Sequence, residues 1–168
     1  KGYGWFSGSS QYAATGVVGK TVGQAVSGAG HGGKGGEGYK APSVAGAGST
    51  NGFELAPLLP GAPGGYGHAD SPARPGGGAL RIHAASVVLD GVLTANGGGV
   101  SLYGGGSAGG SIWLTCSEFS GSGLLCANGG PGGTGGTGPR GTGGGGGGRV
   151  AVGIGLTESD KTALLAGT

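Results

Sequence analysis

The sequence predicts an all-β fold, β-solenoid-like or built of layered strands interleaved with glycine-rich polyproline II segments, with no substantial helix. Three observations lead there. The stretch ALRIHAASVVLDGVLTANGG (Ala79 to Gly98) recurs as SIWLTCSEFSGSGLLCANGG (Ser111 to Gly130), the two copies align without a gap, and each is preceded by Gly-Gly. Self-similarity at such a spacing marks a chain that stacks one supersecondary unit on the next. The chain also holds 51 Gly among 168 residues, so regular backbone packing must offset a large loss of backbone entropy. Finally, apolar residues alternate after each Gly-Gly, which is the period of a strand with one packed face.

Taken along the chain, the first element is the least regular. Tyr3, Trp5 and Phe6 follow one another closely and are suited to cap an open end or meet a neighbouring subunit. From Gly30 to Gly38 the sequence reads GHG, GKG, GEG, and from Gly129 a Gly opens seven successive triplets. That register fits a threefold polyproline II backbone, whose close packing needs positions without side chains. Prolines 57, 60, 63, 72 and 75 predict an extended surface loop between them.

The repeat unit reads as strand, turn, strand, Asn-Gly-Gly. Leu80, Ile82 and Ala84 share one parity in the first copy, and Ile112, Leu114 and Cys116 in the second. Turns are expected at Asp90-Gly91 and Ser122-Gly123, and a third strand start follows Gly148. Eight of 22 aligned positions are identical: Gly77, Gly78, Gly91, Leu93, Ala95, Asn96, Gly97 and Gly98 reappear at the matching places of the second copy. Six of these eight are Gly or Asn, so a turn framework is repeated rather than a set of reactive side chains. Asn96 and Asn128 are expected at left-handed or capping positions, forming a stacked ladder. The domain thus runs over 1–155, with copies at 77–98 and 109–130 and a third strand start at 148–154. Residues 156–168 form a tail, linker or short helix capped by Thr157 or Ser159.

Composition excludes several functions. The balance is +2 and the nine Lys and Arg form no run, which gives nucleic-acid binding no support. No apolar stretch approaches the length a membrane-spanning helix needs, so no membrane span is expected. The absence of Met suggests a processed chain or an excised domain. Cys116 and Cys126 both fall in the second copy, where the first has Ala84 and Thr94, which suggests a disulfide and an extracellular or cell-surface setting. A tight hairpin at Ser122-Gly123 would place Cys126 opposite Phe119, so such a bridge needs a bulge, a wider loop or pairing between coils.

Motifs of chemistry are weak. Ala14, Gly19, Lys20 and Thr21 satisfy a loose phosphate-loop pattern, but poor helix formers follow it and no strand ending in Asp exists for magnesium. Gly105, Ser107 and Gly109 match a nucleophile elbow that precedes a strand where the chemistry needs a helix. A polysaccharide lyase or hydrolase would need gathered carboxylates. Of Glu37, Glu54, Asp70, Asp90, Glu118, Glu158 and Asp160, only Asp70 stands near other catalytic types, His68 and Arg74. His31, His68 and His83 lack ligand spacing, so no metal or cofactor is expected.

The order GHGGKGG, GGGALRIHA, GGGSAGGSIWLTC, LLCANGGPGG and GGGGGGRVAV resembles the glycine-rich repeat modules of large secreted or surface-exposed proteins of bacteria and plants. Its GGxGG runs are also similar to the glycine bundles of a springtail antifreeze protein and of some phage tail-tip adhesins. The resemblance implies β-solenoid character and transfers no catalytic residue. The function expected is therefore a non-enzymatic structural or adhesive protein, a subunit or domain of an extracellular surface fibre that self-associates by stacking. An ice- or glycan-binding module is the alternative, its surface drawn from Trp5, Phe6, Tyr103, Trp113, Thr134, Thr137 and Thr142. A polysaccharide lyase or hydrolase on a β-helix ranks after both.

Overall fold

The computed structural model describes residues 21–22, 25–40, 42–65, 74–99, 102–134 and 140–167. Its strands are β1 (Thr21–Val22), β2 (Ala25–Val26), β3 (Gly38–Lys40), β4 (Ser43–Ala45), β5 (Ala79–His83), β6 (Ser86–Val88) and β7 (Val92–Thr94). They continue with β8 (Ser111–Cys116), β9 (Glu118–Ser120), β10 (Leu124–Cys126), β11 (Arg140–Gly141) and β12 (Arg149–Ile154), and one helix, α1 (Glu158–Ala166), follows.

The two sequence copies lie on each other as parallel layers. β5 pairs with β8, β6 with β9 and β7 with β10, and each residue faces its own counterpart in the other copy: Leu80 with Ile112, Val87 with Phe119, Leu93 with Leu125. A one-residue slip would turn every apolar side chain outward, so burial of one face fixes this register. Inside the layers Ala95, Ile112 and Leu114 form a buried cluster flanked by Leu80, Ile82, Leu93, Phe119, Leu125 and Ala127. The turns stack as well. Ser122 N–H donates to Asp90 Oδ1 at 3.1 Å, and Asn128 N–H to Asn96 Oδ1 at 2.7 Å. β12 then pairs with β8, Val150 beside Ile112 and Val152 beside Leu114.

Below the strands, extended glycine-rich segments pack around a buried central one, residues 104–110. The donors of that segment turn through three neighbours with a threefold period. Gly105 and Ala108 donate to Gly65 and Ala62, Gly106 and Gly109 to Gly143 and Gly146, and Ser107 and Gly110 to Gly98 and Ala95. Its carbonyls accept from three other segments: Gly106 from Ala29, Ser107 from Gly130, and Ala108 from Gly77. The six surrounding segments bond to one another in a closed ring. Gly61 donates to Gly77, Gly98 to Pro75, Gly97 to Asn128, Gly145 to Gly130, Gly146 to Ala29, and Gly65 to Ser27. Backbones can approach this closely only where side chains are missing; a Cβ on Gly106 would overlap the carbonyl of Gly130. Segments 74–78, 104–110 and 142–148 lead directly into β5, β8 and β12, so the bundle sets the order of the parallel sheet.

This architecture corrects the expected fold class. The sheets are small and of both senses: β12-β8-β5, β6-β9 and β10-β7 are parallel, whereas β1-β2 and β11-β3-β4 are antiparallel. None is closed or solenoid-like, and a helix is present, so the fold is mixed. The physical reason lies after Ile154. Gly155, at φ 67°, turns the chain out of the layer, and Thr157 caps α1 by accepting from Asp160 N–H while Asp160 accepts from Thr157 N–H. Such a capping box starts a helix where the repeat would need two more strands.

The expected disulfide is also corrected. Cys116 and Cys126 are free thiols. Cys116 shares the parity of Ile112 and Leu114, which are in the core, whereas Cys126 follows core-packed Leu125 and so faces the other way. The strands they occupy belong to different sheets, β8 beside β12 and β10 beside β7. Of the left-handed or capping positions expected for Asn96 and Asn128, the left-handed one is not taken, since among the described residues no non-glycine has positive φ, and Asn96 Oδ1 caps Asn128 N–H. In the second turn the positive φ, 108°, falls on Gly121 rather than on Gly123. Gly123 is needed for space instead, because a Cβ there would meet the Leu89 side chain and backbone.

Candidate functional site

The open end of the parallel layers is the most distinctive surface. Ile112, Leu114 and Cys116 of β8 are 0%, 0% and 5% exposed, whereas their β12 neighbours Val150, Val152 and Ile154 are 42%, 37% and 56% exposed. All six share one parity, so the β12 residues are core positions without a complete layer around them. The backbone is open there too. Arg149 N–H and Gly155 N–H donate toward β8, to Gly110 and Cys116, so the intervening Val150, Val152 and Ile154 direct their N–H and C=O groups away from it. At the opposite end Gly78 O and Ala84 N–H bond to β8 residues, which turns the groups of Ala79, Arg81 and His83 outward. The two edges are thus parallel strands with complementary backbone sets.

The outer face of the same sheet is covered. Trp113 is 1% exposed, with the Arg81 guanidinium 4.6 Å from its ring centroid, a cation–π arrangement. It therefore leaves the aromatic surface on which a glycan was expected to stack. Ser111 Oγ donates to Leu59 O at 2.6 Å, and His83 Nδ1 lies 2.9 Å from Thr115 Oγ1. Lys161 of α1 reaches His83 Nε2 at 3.4 Å and Glu158 at 2.7 Å, and this bond to Lys161 holds the Glu158 carboxyl below its usual range.

Of the remaining surface residues, Trp5, Phe6 and Thr137 lie outside the described residues. Tyr103 is half-buried and Thr134 exposed, while Thr142, half-buried, donates through Oγ1 to Gly133 O at 2.6 Å. Along this edge Asn128, Pro131 and Thr134 are exposed at a spacing of three, and the residues between them are not.

His68 and Asp70 lie outside the described residues, as does the phosphate-loop match except for Thr21. Ser107 of the elbow-like match is buried, donates to Arg74 O and accepts from Gly64 N–H, so its hydroxyl is a bolt inside the bundle. The described carboxylates are dispersed: Asp90 holds a turn, Asp160 caps α1, and Glu54 pairs with Arg149 at 3.6 Å. Among the described residues no three of His, Cys, Asp and Glu gather as a metal site, and no helix is long and apolar enough to cross a membrane.

One residue gains a weight that its sequence context does not give it. His31 is 1% exposed at the end of segment 26–31, and its Nδ1 lies 2.8 Å from Gly109 O. A carbonyl only accepts, so Nδ1 carries the proton and Nε2 is the bare nitrogen. Nε2 is buried and has no hydrogen-bond partner. Burial pushes the imidazole below its ordinary value; the Gly109 bond opposes this and the Arg149 charge adds to it. The GHG triplet marks its position but gives no sign of its enclosure. Comparison of the chain with protein-family models, with curated proteins and with solved structures finds no match.

Proposed function

We propose that the chain is a non-enzymatic structural module that self-associates, in keeping with a subunit or domain of an extracellular surface fibre. The observation that carries this reading is the unfinished layer at β12, where three core-parity residues are 37–56% exposed beside counterparts at 0–5%. A second copy of the chain is the occupant that fits. Its β5 edge would continue the ladder in the register of β5 on β8, with Leu80 over Val150 and Ile82 over Val152. The contact would run through one strand, because among the described residues β12 has no companion strands in its own layer. Open parallel edges of this kind lead to head-to-tail contacts, which propagate when the rotation does not close. Electron microscopy of concentrated protein tests the reading: ordered filaments or short end-to-end stacks are expected, and dispersed monomers would refute it.

A binding module for ice or glycans is the second reading, favoured by the threefold row Asn128, Pro131 and Thr134. It predicts thermal hysteresis or glycan-array signals that fall on Thr134→Lys substitution, with end-to-end association unchanged.

A further inference from the structure

We infer that His31 is a proton-operated latch of the glycine bundle, closed when the imidazole is neutral and released when Nε2 takes up a proton. The residue stands where four segments meet. Its Nδ1–H bonds to Gly109 O of the central segment, and its own carbonyl accepts from Asn51 N–H at 2.8 Å. Its N–H donates to Gly33 O at 3.0 Å, where the chain turns back toward Gly147. The ring therefore ties the end of 26–31 to the central segment 104–110, while the backbone of the same residue bonds to 33–36 and 46–51.

Neutral imidazole suits this place better than the cation because its single donor is satisfied by Gly109 O, leaving only the lone pair of Nε2, beside Gly52, without a partner. An added proton would create a buried cation without a hydrogen-bond acceptor. Its charged surroundings do not compensate. Arg149, from β12, acts on the ring with like charge, and Glu54, which pairs with Arg149 at 3.6 Å, is exposed to solvent. The central segment meets the ring through backbone. Protonation thus sets burial and a neighbouring cation against a single bond to Gly109, and the bundle loosens at that corner.

The direction with pH follows from linkage. In the unfolded chain the imidazole titrates near its ordinary value of 6.5, and in the folded chain lower. Between the two values the unfolded state binds more protons, so the stability contributed by neutral His31 is full above 6.5 and is lost as pH falls toward the folded-state value. One proton is taken up, so the unfolding constant rises by up to about tenfold per pH unit in that window.

The test uses a chain in which the other two histidines, His68 and His83, are both changed to Gln, followed by urea unfolding at about pH 7.5 and about pH 5. The expected result is that the H68Q/H83Q chain loses stability on acidification much as the wild type does, while adding H31Q removes most of that loss. An equal loss with and without His31, or a wild type indifferent to pH in this range, would overturn the inference. Should H31Q fail to fold, amide hydrogen exchange of the H68Q/H83Q chain decides. Exchange at Gly33, Gly109 and Asn51 should quicken on acidification before exchange at Ile112 and Leu114, whereas simultaneous acceleration at all five would contradict a latch.

Discussion

A methyl group added at Gly106 would overlap the Gly130 carbonyl and crowd Gly145 N, in a segment with neighbours on every side. Nothing there can move without breaking a backbone hydrogen bond, and each such bond contributes about 1 kcal/mol net. Gly106→Ala should therefore lower stability by about 3 kcal/mol or prevent folding, read as a fall in the urea midpoint. At Gly91 a Cβ meets open space and φ is not positive, so Gly91→Ala should be neutral or stabilise by about 0.5 kcal/mol. Equal losses at both positions would refute the bundle. Asn96→Ala removes the acceptor for Asn128 N–H; since that bond is exposed, the expected loss is only about 0.5–1 kcal/mol in the same experiment. Single residues of this kind are legible in part. The recurrence of Asn-Gly-Gly points to a role for Asn96, but which glycine carries the positive φ is a matter of local backbone geometry, and it falls on Gly121.

Strand positions can be read where side chains alternate. Leu80 with Ile82, Ile112 with Leu114, and Val150 with Val152 mark β5, β8 and β12, and the spacing between the two sequence copies is the register in which β5 lies on β8. The expected pairing of the two cysteines fails because strand parity sends one thiol inward and the other outward. Mass measurement should find two alkylatable thiols after denaturation without reductant, and reductant should leave the melting temperature unchanged. Under native conditions the half-buried Cys126 should react well before the 5% exposed Cys116. A single mass shift corresponding to an internal disulfide would contradict the strand assignment. Trp113 is equally hidden from the sequence, since its enclosure beside Arg81 depends on tertiary neighbours.

For the whole molecule, repetition suggests a uniform coil, yet two complete layers are followed by one strand and a capped helix. A short helix capped by Thr157 or Ser159 is one reading of the tail in the sequence, but its consequence for the third layer is not visible there. The closed ring of segments is less accessible still. A glycine triplet register announces a backbone that can pack closely, and says nothing of which distant segments it will meet; Gly105 finding Gly65 while Gly106 finds Gly143 is decided only in three dimensions. The same assembly leaves Val150, Val152 and Ile154 at an open edge, and on that edge the proposed self-association depends. Sedimentation velocity from dilute to concentrated solution tests it most directly, comparing the wild type with Val152→Lys, a charge that blocks edge pairing. The wild type should grow in mass with concentration, while the variant should stay monomeric and still fold, as read by its circular dichroism. A wild type that remains monomeric throughout, or a variant that assembles equally well, would contradict self-association through this edge.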